Sequence, residues 1–135
     1  MCNSLTSPAK ILVLGNGSLL DEGISSILSL TPQLHVTRIL YTDDITLFNL
    51  VNFEHPFAIF INEFDALDIG HVVRLIFSAP LAFVSSVIVA HIENSRFDVY
   101  MPARHDPLTT VRRKTIAVKT KEELINLVLK ASCST

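Results

Sequence analysis

Hydrophobic residues arrive along this chain in two alternating textures. Lys10 to Leu14 (KILVL) is a short unbroken apolar run that stops at Gly15-Asn16-Gly17, the texture of a strand buried on both faces of a parallel sheet. The period then changes. Leu19, Leu20, Gly23, Ile24, Ile27, Leu28 and Leu30 recur at helical spacing, and Pro32 ends the helix. Ser18 is placed to cap it, with Asp21 and Glu22 in the first turn where the helix dipole favours acids. The same pair of textures repeats. Leu34 to Leu40 reads as a strand, and a helix capped by Asp43 or Asp44 carries Ile45, Leu47, Phe48, Leu50 and Val51. His55-Pro56 opens a third strand, Phe57 to Ile61, and Asp68 caps a helix through Ile69, Val72, Val73, Leu75 and Ile76 that stops before Pro80. Ser86 to Ala90 (SVIVA) is a fourth strand and Thr115 to Val118 a fifth. The last helix starts at Thr120, where Thr120-Lys121-Glu122-Glu123 has capping-box spacing, and carries Leu124, Ile125, Leu127, Val128 and Leu129.

Five strands alternating with helices predict a parallel sheet covered on both faces, joined by right-handed crossovers. The size fits an α/β flavodoxin-like three-layer sandwich of strand order 2-1-3-4-5. Residues 10–131 form the domain, 1–9 a flexible arm and 132–135 a tail. One stretch breaks the rhythm: residues 91–114 contain Pro102 and Pro107, so no regular amphipathic helix runs through them. An irregular segment in place of the fourth helix is expected, with a β-hairpin arm, a short helix plus loop, or an extra strand at Phe97 to Met101 all open.

Charge singles out the same region. Residues 101–121 hold six bases (Arg104, Arg112, Arg113, Lys114, Lys119, Lys121) against Asp106, a balance of +5, whereas residues 1–100 hold four bases and ten acids, a balance of −6. The whole chain of 135 residues carries a formal charge of −2, which gives no global pull toward nucleic acid or anionic membrane. At 49% hydrophobic residues, with a mean hydropathy of +0.43, it is too apolar for a disordered segment. Its longest apolar run, Phe77 to Val84, is broken by Ser78 and Pro80 and falls far short of the ~20 residues of a membrane span. Cys2 and Cys133 form no CxxC or Cys/His cluster, and MCNSLTSPAK has no apolar core of a secretory signal. A cytoplasmic chain with reduced thiols is the expectation.

The order and spacing of these elements resemble a response-regulator receiver domain over residues 10–131, of the kind that precedes a helix-turn-helix output domain. KILVLGNGSLLDEGISSILSLTPQLHVT is similar to the family's opening strand and first helix. Pro56-Phe57-Ala58-Ile59-Phe60-Ile61-Asn62 is similar to its PDVVLLD strand, and Ala66-Leu67-Asp68-Ile69-Gly70 to its GMDG element. Thr115-Ile116-Ala117-Val118-Lys119-Thr120, followed by Glu122-Glu123-Leu124, resembles its GYLLKD and EEL pattern. The resemblance implies a phosphoacceptor aspartate at Asn62, an acidic metal-binding pair at Gly15 and Asn16, a hydroxyl residue at Ala90 or His91 and an aromatic switch at Ile116. None of these residues is of the required type, and only Lys119 matches. An amide is a poor nucleophile and brings no charge to a Mg²⁺ site. The resemblance therefore implies a pseudo-receiver whose vestigial pocket is Gly15, Asn16, Asn62, His91 and Lys119.

Other chemistries have weaker support. Gly15-Asn16-Gly17 continues to Leu20, where a dinucleotide fingerprint needs glycine, and reads as a tight turn. Glu63, Asp65 and Asp68 could hold a cation but are placed to face solvent and cap a helix. The five histidines have no zinc-type spacing, and Ser25-Ser26 and Ser85-Ser86 lack a nucleophile-elbow context. Arg112-Arg113-Lys114 has no interleaved aromatics and suits an acidic protein partner better than nucleic acid.

The expected function is a stand-alone, phosphorylation-independent protein-interaction module in signalling or transcriptional regulation. It is not an enzyme and has no cofactor. The alternative is a small-ligand or anion sensor using the vestigial pocket. The expected interaction segment is Phe97, Val99, Tyr100, Met101, Arg104, Arg112, Arg113 and Lys114. Its partner is a protein, with a homodimer also expected, and neither nucleic acid nor a membrane. An enzyme using the acids of the Glu63–Asp68 loop is the remaining reading.

Overall fold

The computed structural model describes residues 9–64, 67–79, 84–91, 96–102 and 111–132. The arm before residue 9, Cys2, Cys133, Asp65, Arg104 and His105 lie outside them. Strands β1 (Ala9–Gly15), β2 (Leu34–Leu40), β3 (Ala58–Asn62) and β4 (Ser86–His91) alternate with helices α1 (Leu19–Ser29), α2 (Asp44–Glu54) and α3 (Ile69–Phe77). Two further strands, β5 (Arg96–Pro102) and β6 (Val111–Ala117), precede the final helix α4 (Lys121–Ser132). They form one sheet of order β2-β1-β3-β4-β5-β6. The 2-1-3-4-5 order of a flavodoxin-like fold is present, with an extra antiparallel strand.

That extra strand is the one left open at Phe97 to Met101, and it replaces the irregular segment expected in an otherwise parallel, five-stranded sheet. β4 and β5 are separated by residues 92–95, a link far too short for the dozen or so residues of a parallel crossover, so β5 runs antiparallel to β4. β6 is antiparallel to β5 in turn and regains the direction of the first four strands. The sequence between the fourth and fifth expected strands is thus regular wherever it is described. Its pattern has period two: Phe97 and Val99 pack into one hydrophobic cluster, while Asp98 and Tyr100 face the other way. Phe97 meets Phe60 of β3 edge-to-face, with ring centroids 5.7 Å apart, which ties β5 to the parallel part of the sheet.

Two clusters sandwich the sheet. Ile11, Val13, Phe60, Ile88, Phe97 and Val99 pack under α1 and α4, and Leu12, Leu14, Ile59, Ile61, Val87 and Val89 under α2 and α3. β3 is buried along its whole length, as its unbroken apolar text requires. The caps fall where the sequence puts them: Ser18 with Asp21, Asp43 with Thr46, Asp68 with His71, and Thr120 with Glu123. No helix among the described residues is long and apolar enough to cross a membrane.

Candidate functional site

The C-terminal ends of β1 and β3, where an α/β sheet of this order forms its site, carry Gly15 and Asn62. Asn62 is buried, and its Nδ2 donates to Asp21 Oδ1 over 2.6 Å. The other oxygen of that carboxylate accepts from the backbone N–H groups of Gly17, at 2.7 Å, and Ser18, at 3.2 Å. Asp21 is the third residue of α1, and Ser18 returns a hydroxyl acceptor to its N–H, so both halves of a capping box are made. The aspartate also bends under the β1 turn. A Cβ at Gly15 would overlap its carboxylate, so the space of a side chain at the end of β1 is filled by an acid from the helix. Gly17, at φ +83°, takes the left-handed conformation that lets the turn present its N–H inward. Asn16 is exposed on that turn. Asn62 Oδ1 is buried without a protein hydrogen-bond partner among the described residues.

A second polar cluster lies one strand further along, on the opposite face of the sheet. His91 ends β4 on the same face as Val87 and Val89. Its Nδ1 lies 3.0 Å from Glu63 Oε1, and its Nε2 lies 2.8 Å from Asp98 Oδ2 on β5. Thr115 of β6, directly opposite Asp98 in register, donates its hydroxyl to Asp98 Oδ1 over 2.6 Å. A carboxylate before each ring nitrogen favours the protonated imidazolium, in which both nitrogens donate. Burial of the ring opposes that charge, yet the bonds to Glu63 and Asp98 prevail and hold the His91 pKa above its ordinary value. Burial pushes the Asp98 carboxyl up, but the Thr115 hydroxyl, the His91 ring and the charge of Arg113 outweigh it and hold its pKa below the usual range. Four chain segments, from β3 to β6, are thus tied by one chain of charged hydrogen bonds.

The residues of the vestigial pocket therefore fall into two groups. Gly15 and Asn62 stay together around Asp21, and His91 is engaged across the sheet. Lys119 follows β6 rather than the strand beside β4, because β5 lies between them. It lines a cleft of about 250 Å³ together with His91, with Leu20 and Ile24 of α1, and with Phe97 and Leu124. Ile116, at the switch position, packs partly buried on the α1–α4 side. In the interaction segment Phe97 and Val99 are buried, Tyr100 and Met101 half-buried, and Arg113 and Lys114 exposed. Arg112 lies on β6 opposite Met101. Asp68 is spent on its cap and Glu63 on His91.

Sequence reasoning missed Asp21 and Asp98. Ser18-x-x-Asp21 directly behind a glycine signalled the first. The period of Phe97-Asp98-Val99-Tyr100 signalled the second, because it places an acid on a covered sheet face.

No protein-family model matches the chain, and no curated protein matches its sequence. Among solved structures it is similar to the signal receiver domain of the response regulator NarL from Mycobacterium tuberculosis, at 18% identity and a TM-score of 0.62, over 96% of this chain and 99% of that one. The likeness is one of fold, which is receiver-like.

Proposed function

We propose that this chain is a pseudo-receiver: a signalling domain that works as a protein-interaction module without being phosphorylated. The observation that supports it most is the occupied pocket. Asp21 lies where an acidic side chain from the end of β1 would reach, and it is held by Asn62 and two backbone N–H groups. Phosphoryl transfer needs a carboxylate nucleophile and a metal held between several acids. Asn62 supplies an amide, and Asp21 is bonded on both oxygens.

The ligand-sensor alternative draws less support. An anion near Asn62 would face the Asp21 carboxylate, and one near His91 would face Glu63 and Asp98. Self-association through Phe97 to Met101 would rest on Tyr100 and Met101, since Phe97 and Val99 belong to the chain's own core.

Incubation with acetyl phosphate and Mg²⁺, read by intact mass, tests the proposal. An unchanged mass is expected for the native chain and for Asn62→Asp, which still lacks acids at Gly15 and Asn16. A hydroxylamine-labile phosphoryl adduct on the native chain overturns it.

A further inference from the structure

Among the described residues the sheet ends on β2 and β6, and these two edges differ in chemistry. β2 carries Arg38 as its one Lys or Arg, with its Leu34 end buried. β6 carries Arg112, Arg113 and Lys114 in succession. Because β6 pairs with β5 on one side, alternate residues of Val111–Ala117 turn backbone N–H and C=O groups away from the sheet, a template for a further strand. Arg113 and Lys114 are exposed, and as successive strand residues they project to opposite faces.

We propose that β6 is a docking edge for an extended acidic segment of another protein, added as a seventh strand. The proposal rests on the interaction-module reading above and names the chemistry of the partner. A second copy of this chain is the wrong occupant. A twofold antiparallel pairing centred on β6 sets Lys114 opposite its own copy, with Arg113 and its copy on either side, and like charges directly opposed destabilise a strand pair. The same bases select a strand of opposite sign. An extended segment suits them better than a helix, since a helix lying on one face of the sheet reaches only one of Arg113 and Lys114. Arg112, Arg113 and Lys114 in succession, in a chain of formal charge −2, concentrate the attraction at this strand. The strand's seven residues span about 23 Å, so the partner contributes a stretch of similar length with adjacent acids among β-branched residues.

The test uses the full chain and a fluorescent peptide, Thr-Val-Glu-Asp-Val-Thr-Val, read by anisotropy and by residue-resolved hydrogen exchange. Saturable binding is expected, with slowed exchange at alternate β6 amides and none at β2. Binding should weaken about tenfold when the peptide acids become lysines or when Lys114→Glu is made. Lys114 makes no ion pair among the described residues, so that variant should keep the native melting temperature, and Arg113→Glu is its companion. Methylation of alternate peptide nitrogens should abolish binding, because it removes the ladder and leaves the charge. Equal affinity for the methylated peptide overturns the proposal, as does no binding or no change at β6. So does slow β6 exchange in the free protein: if independent of concentration, the chain covers its own edge, and if it grows with concentration, a second copy does. Failure at β6 without a phosphoryl adduct leaves the module reading standing. An adduct overturns that reading whatever the edge does.

Discussion

Asp21 and Asp98 are both buried acids beside the sheet, yet their surroundings divide them. Asp21 is held by neutral donors: an asparagine amide and two backbone N–H groups. None of those donors is an ionisable group. Asp98 is held by a hydroxyl and an imidazole, and the imidazole is bonded to a second acid that is half in water. One region is a fixed structural plug at the end of β1 and β3. The other is an ion pair whose strength depends on pH. The first closes the C-terminal ends of β1 and β3 with fixed groups, and the second places a histidine between two acids on the β4–β5 side of the sheet.

The hardest blow to this contrast is to make the plug ionic. Asn62→Asp sets two carboxylates where a 2.6 Å amide–carboxylate bond now lies, and the pair can be kept only by holding a proton. A loss of about 3–5 kcal/mol is expected at neutral pH, by analogy with a buried charge left uncompensated. The new carboxyl has a folded pKa raised above its unfolded value of about 3.9. Its folding is therefore least impaired below that value and worsens as pH rises through the folded pKa. Denaturant melts at pH 3.5 and 7 check this, and equal losses at both would mean that Asp21 is not the neighbour that matters.

The plug should also behave as one unit. Gly15→Ala forces a methyl group into the Asp21 carboxylate, and Asp21→Ala strips its partners, so each is expected to cost about 2–3 kcal/mol. Together they should cost clearly less than the sum, because removing the carboxylate vacates the space the methyl needs. Additive losses in a double-mutant cycle would contradict the packing of Asp21 under Gly15.

Most of the fold was legible, because the unbroken apolar runs and the caps at Ser18, Asp43, Asp68 and Thr120 are local signals. The site was legible only in part. That Gly15 and Asn62 end β1 and β3 could be read from position in the chain alone. That Asp21 packs under Gly15 and accepts from Asn62 is a tertiary fact, expressed through a turn that Gly17 permits. β5 was legible only as one of three readings, because its alternation, Phe97-Asp98-Val99-Tyr100, is short and is followed at once by Pro102. Placing Lys119 depended on that strand: with β5 inserted, the one matching residue of the resemblance follows β6, a strand that does not pair with β4.

The smallest effect belongs to the other half of the comparison, and it is a slope rather than a loss. The folded pKa of His91 is raised, so its stabilisation is full below the ordinary histidine value of 6.5 and fades as pH rises through the folded value. Asp98 is lowered, so its contribution is present above the ordinary 3.8 and fades as pH falls through its folded value. The network is therefore strongest between about pH 4 and 6.5, and the native protein should lose stability on going from pH 6 to pH 8.5. His91→Gln should flatten that slope, because glutamine bonds one carboxylate without titrating. Since a quarter of the ring is exposed, solvent screening keeps the change to about 1 kcal/mol or less. The Asp21 plug supplies the internal control, for Asp21→Ala should lower the whole melting curve while leaving its slope from pH 6 to 8.5 intact. A slope that survives His91→Gln would assign it to another group and leave the two halves of the sheet alike in their response to pH.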